Sequence, residues 1–127
     1  MNCRAQVRQS ARQSLPERRP NMSGLVMWQD QTQPGLAYEF TVTVGFDAAL
    51  QVREVFAADF APDGMVRFLF EDTCVLISHL LQNGYGLAEV VGKLGRDKTA
   101  SRTPMASMLA VAMELEQAMV QVGGDDR

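Results

Sequence analysis

The sequence predicts an α+β domain: a small antiparallel sheet of two to three strands on the N-terminal side, followed by three helices packed on one face. Three observations carry this reading. Between Tyr38 and Phe46 apolar and polar residues alternate strictly, which is the signature of a half-buried strand. From Val66 onward the apolar period lengthens to that of a helix. The two kinds of segment are segregated along the chain, and runs of strands followed by runs of helices give an antiparallel sheet with helices on one side.

Residues 1–20 read as a disordered basic arm, residues 21–121 as the folded domain and residues 122–127 as a disordered tail. The arm is rich in Arg, Gln and Ser and nearly free of apolar residues, so it cannot bury enough surface to order itself. Within the domain, SGLVMWQD (Ser23–Asp30) suits an edge strand, and Pro34-Gly35 marks a turn. In YEFTVTVGF, Tyr38, Phe40, Val42, Val44 and Phe46 share one face. DAAL turns the chain into QVREVFAADF, the second strand of a hairpin. Strict alternation puts Val52, Glu54 and Phe56 on one side of it and Arg53, Val55 and Ala57 on the other.

After the loop APDG (Ala61–Gly64), MVRFLFEDTCVLISHLLQNG carries Val66, Leu69, Thr73, Leu76, Ile77 and Leu80 at helical spacing. Phe68, Phe70, Cys74, Val75 and Leu81 widen that stripe and predict a central, largely buried helix. Asn83-Gly84 stops it. LAEVVGKL is a short helix, and RDKTASR a polar loop. Thr103 is placed to cap the last helix, with Pro104 in its first turn and Met105, Met108, Leu109, Ala112, Leu115 and Met119 as its apolar stripe. A sheet this small leaves its outer face and edges uncovered in a monomer, which predicts a homodimer.

Composition narrows the function. The chain has 127 residues, which suits one domain, and is 46% hydrophobic, enough for a modest core. No apolar run approaches the roughly 18 residues that span a membrane. The two cysteines, Cys3 and Cys74, do not form a disulfide framework, so a cytoplasmic setting is expected. The net charge is −3, but five arginines (Arg4, Arg8, Arg12, Arg18, Arg19) face only Glu17 in the arm, which is therefore +4 against −7 for the rest. Nucleic acid or an acidic partner is thus expected only at the arm.

No constellation for catalysis stands out, and neither a metal nor a cofactor is expected. His79 is the single histidine and lies about 140° around a helix from Cys74. Zinc needs three or four convergent ligands. Glu71 and Asp72 diverge by about 100° and read as a solvated face. Cys74 among Val75, Leu76 and Ile77 reads as an inert thiol. Trp28 and Tyr38 read as a core lid or as an aromatic contact patch. The cations Arg53, Arg67, Lys93, Arg96, Lys98 and Arg102 are the candidate contacts for a nucleotide-like ligand, in a pocket between the hairpin and the last helix.

Three stretches resemble a known family. YEFTVTVGFDAALQVREVFAADF, FEDTCVLISHLLQNGYGLAEVVGKLG and TPMASMLAVAMELE are similar in order and spacing to the TSCPD domain, with LPERRPN (Leu15–Asn21) similar to the lead-in of its short members. That domain occurs at the C-terminal end of cobalamin-dependent ribonucleotide reductases and as stand-alone bacterial proteins. The resemblance runs from about Arg18 to Gln117. Its naming signature, Thr-Ser-Cys-Pro-Asp, falls on Ser101–Met105, which reads SRTPM. Only Pro104 is kept, and Thr103 stands where the cysteine would be. The resemblance implies an accessory, regulatory or interaction module associated with ribonucleoside-diphosphate reductase and DNA synthesis. It does not imply the reductase itself, whose barrel, radical cysteine and reducible cysteine pair have no counterpart here. A nucleotide-binding module is the alternative.

Overall fold

The computed structural model describes residues 20–94 and 103–125. The arm arginines Arg4, Arg8, Arg12, Arg18 and Arg19, and the loop residues Arg96, Lys98 and Arg102, lie outside them. Strands β1 (Asn21–Gln29), β2 (Ala37–Phe46) and β3 (Val52–Ala58) form one antiparallel sheet in the order β1-β2-β3. Helices α1 (Gly64–Gln82), α2 (Leu87–Val91) and α3 (Pro104–Asp125) follow. The architecture is α+β. No helix among the described residues is long and apolar enough to cross a membrane.

The β2 alternation decides which way the sheet faces. Phe40, Val42, Val44 and Phe46 are all buried, and the residues between them are not. Directly opposed residues of paired strands point to the same side. Val26 opposes Phe40, Trp28 opposes Tyr38, and Val55 opposes Val44, so these share the core face. Helix α3 crosses that face with Met105, Ala106, Met108, Leu109 and Ala112 buried beneath it. It approaches β1 closely at Gly24, where a Cβ would stand 3.0 Å from Cγ1 of Val111. The start of α3 is capped as its sequence predicts: the Ala106 amide donates to Thr103 Oγ1 at 3.1 Å.

Two expectations are corrected. Strict alternation fails in β3, because the register shifts between Gly45 and Phe46. That bulge places both Val52 and Val55 in the core and turns Glu54 and Phe56 outward. Helix α1 is also far less buried than its stripe predicts. Only Phe70, Cys74, Ile77, Ser78 and Leu81 are buried. Val66, Leu69, Leu76 and Leu80, all members of the predicted core stripe, are 39–63% exposed. The reason is position: α1 lies along β3, the edge of the sheet, so only a narrow strip of it can touch the core.

That strip carries Ser78, the one buried polar side chain among the described residues. Its hydroxyl accepts from the Val55 amide at 3.0 Å and donates to the Val55 carbonyl at 3.3 Å. Gln82 Nε2 donates to the Arg53 carbonyl at 3.4 Å. Groups of an edge strand that would otherwise face water are met by helix side chains.

Candidate functional site

Arg53 looks in sequence like a free cation, but the fold uses every face of its guanidinium. Nε donates to Asp47 Oδ2 at 3.0 Å, Nη2 to Gln51 Oε1 at 2.7 Å, and Nη1 to the carbonyls of Leu81 at 2.8 Å and Tyr85 at 3.1 Å. It thereby ties the hairpin turn to the C-terminal end of α1, whose last carbonyls lack helical partners. Asp47 organises the same turn by accepting from the amides of Ala49 at 2.8 Å and Gln51 at 3.0 Å. Burial pushes the Asp47 carboxyl up, but the Gln51 amide, Arg53 and the Ala49 amide together outweigh it and hold the group below its ordinary value. Across the sheet, Glu116 Oε2 of α3 accepts from the Val52 amide at 2.8 Å.

Arg67 sits in the first turn of α1, 14 residues before Leu81 and so about 21 Å along the helix from the Arg53 contact. Its guanidinium lies 3.6 Å from Asp63, 3.9 Å from Glu71 and over the Phe68 ring, at a side-chain exposure of 43%. These are weak surface pairs. Lys93 is exposed just beyond α2. The structure therefore does not bring Arg53 and Arg67 into one ligand pocket between the hairpin and the last helix.

Two concavities are present instead. An open groove of about 640 Å³ runs between β3 and α1, walled by Glu54, Phe56, Glu71, Val75, His79 and Gln82, with Cys74 and Ser78 at its base. Cys74 and His79 thus reach the same groove despite their angular separation. Burial, and then the charge of Glu71, push the Cys74 thiol up to about 11, which leaves it a poor nucleophile. His79 Nε2 lies 3.4 Å from Asn83 Nδ2. Among the described residues no group of three or more His, Cys, Asp or Glu side chains could hold a metal ion.

The second is an apolar recess of about 370 Å³ beside the start of α3. Trp28 stacks on Tyr38 at 5.5 Å, Tyr38 meets the edge of Phe60 at 5.4 Å, and Phe60 stacks on Phe70 at 4.0 Å. Val66, Leu69, Thr73, Thr103, Pro104 and Met105 complete the walls. Thr103 and Pro104, where the resemblance places the family signature, thus start α3 and line this recess. The sequence places Trp28 and Tyr38 near a turn but reads Phe60 as the end of the second hairpin strand, whereas β3 ends at Ala58 and Phe60 lies in the loop beyond it.

The largest cluster of exposed apolar side chains among the described residues lies between the two concavities and shares Val66, Leu69 and Val75 with their walls. Met65, Val66, Phe68, Leu69, Val75, Leu76 and Leu80 of α1 are 39–73% exposed. Leu25, Met27 and Phe56 add a smaller apolar area on the outer sheet face. No protein-family model matches the chain, and no curated protein or solved structure matches it.

Proposed function

We propose that this chain is a non-catalytic interaction module: a homodimeric cytoplasmic domain resembling the TSCPD domain and acting as an accessory or regulatory partner of a ribonucleotide reductase. The observation that supports it is the seven-residue apolar surface of α1, which a solitary soluble domain gains nothing by exposing. The chemistry of the described residues points the same way. Ser78 is spent on the Val55 backbone, Cys74 is buried with a raised pKa, and His79 neighbours Asn83. Capture of tagged full-length protein from its native extract tests the reading. Recovery of ribonucleotide reductase is expected, and recovery of nothing but the chain itself overturns the accessory role. Deleting residues 1–20 is expected to abolish any salt-sensitive binding to nucleic acid, and equal binding by both forms at low salt removes that role from the arm.

The aromatic recess favours a second reading, a nucleotide-binding module. Its volume of about 370 Å³ falls within the roughly 300–1,000 Å³ of small-ligand sites, and Trp28, Tyr38, Phe60 and Phe70 give it aromatic walls. Thermal shift against a nucleotide panel tests it. A rise in Tm that Trp28→Ala removes supports the site, and no rise at millimolar nucleotide rejects it.

A further inference from the structure

We infer that a second copy of this chain docks on the outward face of α1, the two α1 helices running antiparallel across a two-fold axis beside Val75 and Leu76. The inference rests on the interaction-module reading and names the surface and its occupant. Six side chains on that side (Met65, Phe68, Leu69, Val75, Leu76 and Leu80) are 39–73% exposed. With roughly 150–250 Å² for an aromatic side chain and less for Met, Leu and Val, they present at most on the order of 600 Å². That is at the upper end of the roughly 300–600 Å² of the largest patch on a typical monomer, a patch that is often functional. Doubled, it reaches the roughly 1,200 Å² at which standard interfaces begin. The outer sheet face is a weaker candidate. Its Leu25, Met27 and Phe56 are interrupted by Glu39, Glu54 and the hydrogen-bonded pair Ser23 and Thr43.

The polar residues within the α1 stripe choose the orientation. Asp72 and His79 are seven residues apart, about two turns, so they lie on one line along the helix. In an antiparallel pair centred between Val75 and Leu76, residue numbers related by the axis sum to a constant. Asp72 then meets the partner's His79, and His79 meets the partner's Asp72, with Val75 and Leu76 filling the centre. A parallel arrangement would set Asp72 against the partner's Asp72, a like-charge contact. A two-fold interface is also the commonest closed assembly.

Sedimentation equilibrium of the full chain tests this. The wild type is expected to be a dimer. Leu76→Glu is expected to weaken the dimer at least 100-fold with an unchanged circular dichroism spectrum, while Leu25→Glu leaves it intact. Asp72→Lys weakens it, and Asp72→Lys combined with His79→Asp restores it. As a readout independent of that pair, Leu76→Cys in a Cys3→Ser background is expected to be linked into dimers by a short bis-maleimide. A dimer that survives Leu76→Glu but dissociates with Leu25→Glu overturns the α1 interface and leaves the module reading standing. A wild-type monomer at high concentration that still captures a reductase overturns this inference and the homodimer, and leaves the accessory role standing. A monomer that captures nothing overturns both.

Discussion

Replacing Ser78 by Ala removes one oxygen and is expected to have a large effect on stability. That oxygen holds both the amide and the carbonyl of Val55, at 3.0 and 3.3 Å. Each bond contributes about 0.5–1.5 kcal/mol net, and a buried backbone group left without a partner costs about 1–3 kcal/mol. The groove beside Ser78 is open, so water can reach part of the vacated space and lowers the cost. We therefore expect a loss of about 2 kcal/mol, or a fall in Tm of about 8–10 °C for a domain of this size. Urea and thermal unfolding followed by circular dichroism measure the loss, and hydrogen exchange at the Val55 amide reports its site. Thr73→Ala is the control: its hydroxyl donates to the Leu69 carbonyl at 2.7 Å within the same helix, and its loss is expected to be close to neutral. If Ser78→Ala melts within about 2 °C of wild type and the Val55 amide exchanges at its wild-type rate, the helix is not held to the strand edge by this hydroxyl.

Arg53→Met is expected to cost about 1.5–3 kcal/mol, since it strips charge-assisted hydrogen bonds from Asp47 and the end of α1, and denaturant midpoints measure this. The Asp47 carboxyl has a folded-state pKa below its ordinary value of 3.8. Its contribution is therefore complete above the ordinary carboxylate range and is lost as the pH falls through the folded value. Acid unfolding of Asp47→Asn is expected to lack that part of the profile, and an unchanged acid limb refutes the assignment. In a Cys3→Ser background, Cys74 is expected to resist a thiol reagent at pH 8 in the folded protein and to react at once in denaturant. Fast reaction of the folded form contradicts its burial.

Strands and cap were legible because their signals are local. Period 2 in β2 needs no knowledge of the rest of the chain, and neither does a Thr-Pro pair at a helix start. Helix α1 was legible as a helix but not as a surface. It is apolar around most of its circumference, so the sequence offers two rival stripes, and the one built on Leu69, Leu76 and Leu80 turns outward. The choice between them rests on fit to an edge strand, where the small side chains Cys74 and Ser78 allow close approach. That is a property of the pair of elements rather than of either one. Arg53 was misread for a related reason. Its acceptors at Leu81 and Tyr85 are main-chain carbonyls 28 and 32 residues away, and carbonyls leave no mark in a sequence. The β3 face was misread because a bulge counts one strand against another, which a single strand cannot reveal.

The contact between Ser78 and Val55 also bears on how sheets from different molecules can join. A sheet with two free edges is a propagating unit: each copy that adds to one side offers the next a fresh template, and growth has no natural end. Here helix α1 occupies the β3 side, with its Ser78 hydroxyl on the Val55 amide and carbonyl that a further strand would need. A sheet that another molecule extended at its other side would therefore stop at β3, where a helix stands in place of a strand. The hydroxyl that steadies the monomer also acts as a terminator of sheet growth on the β3 side.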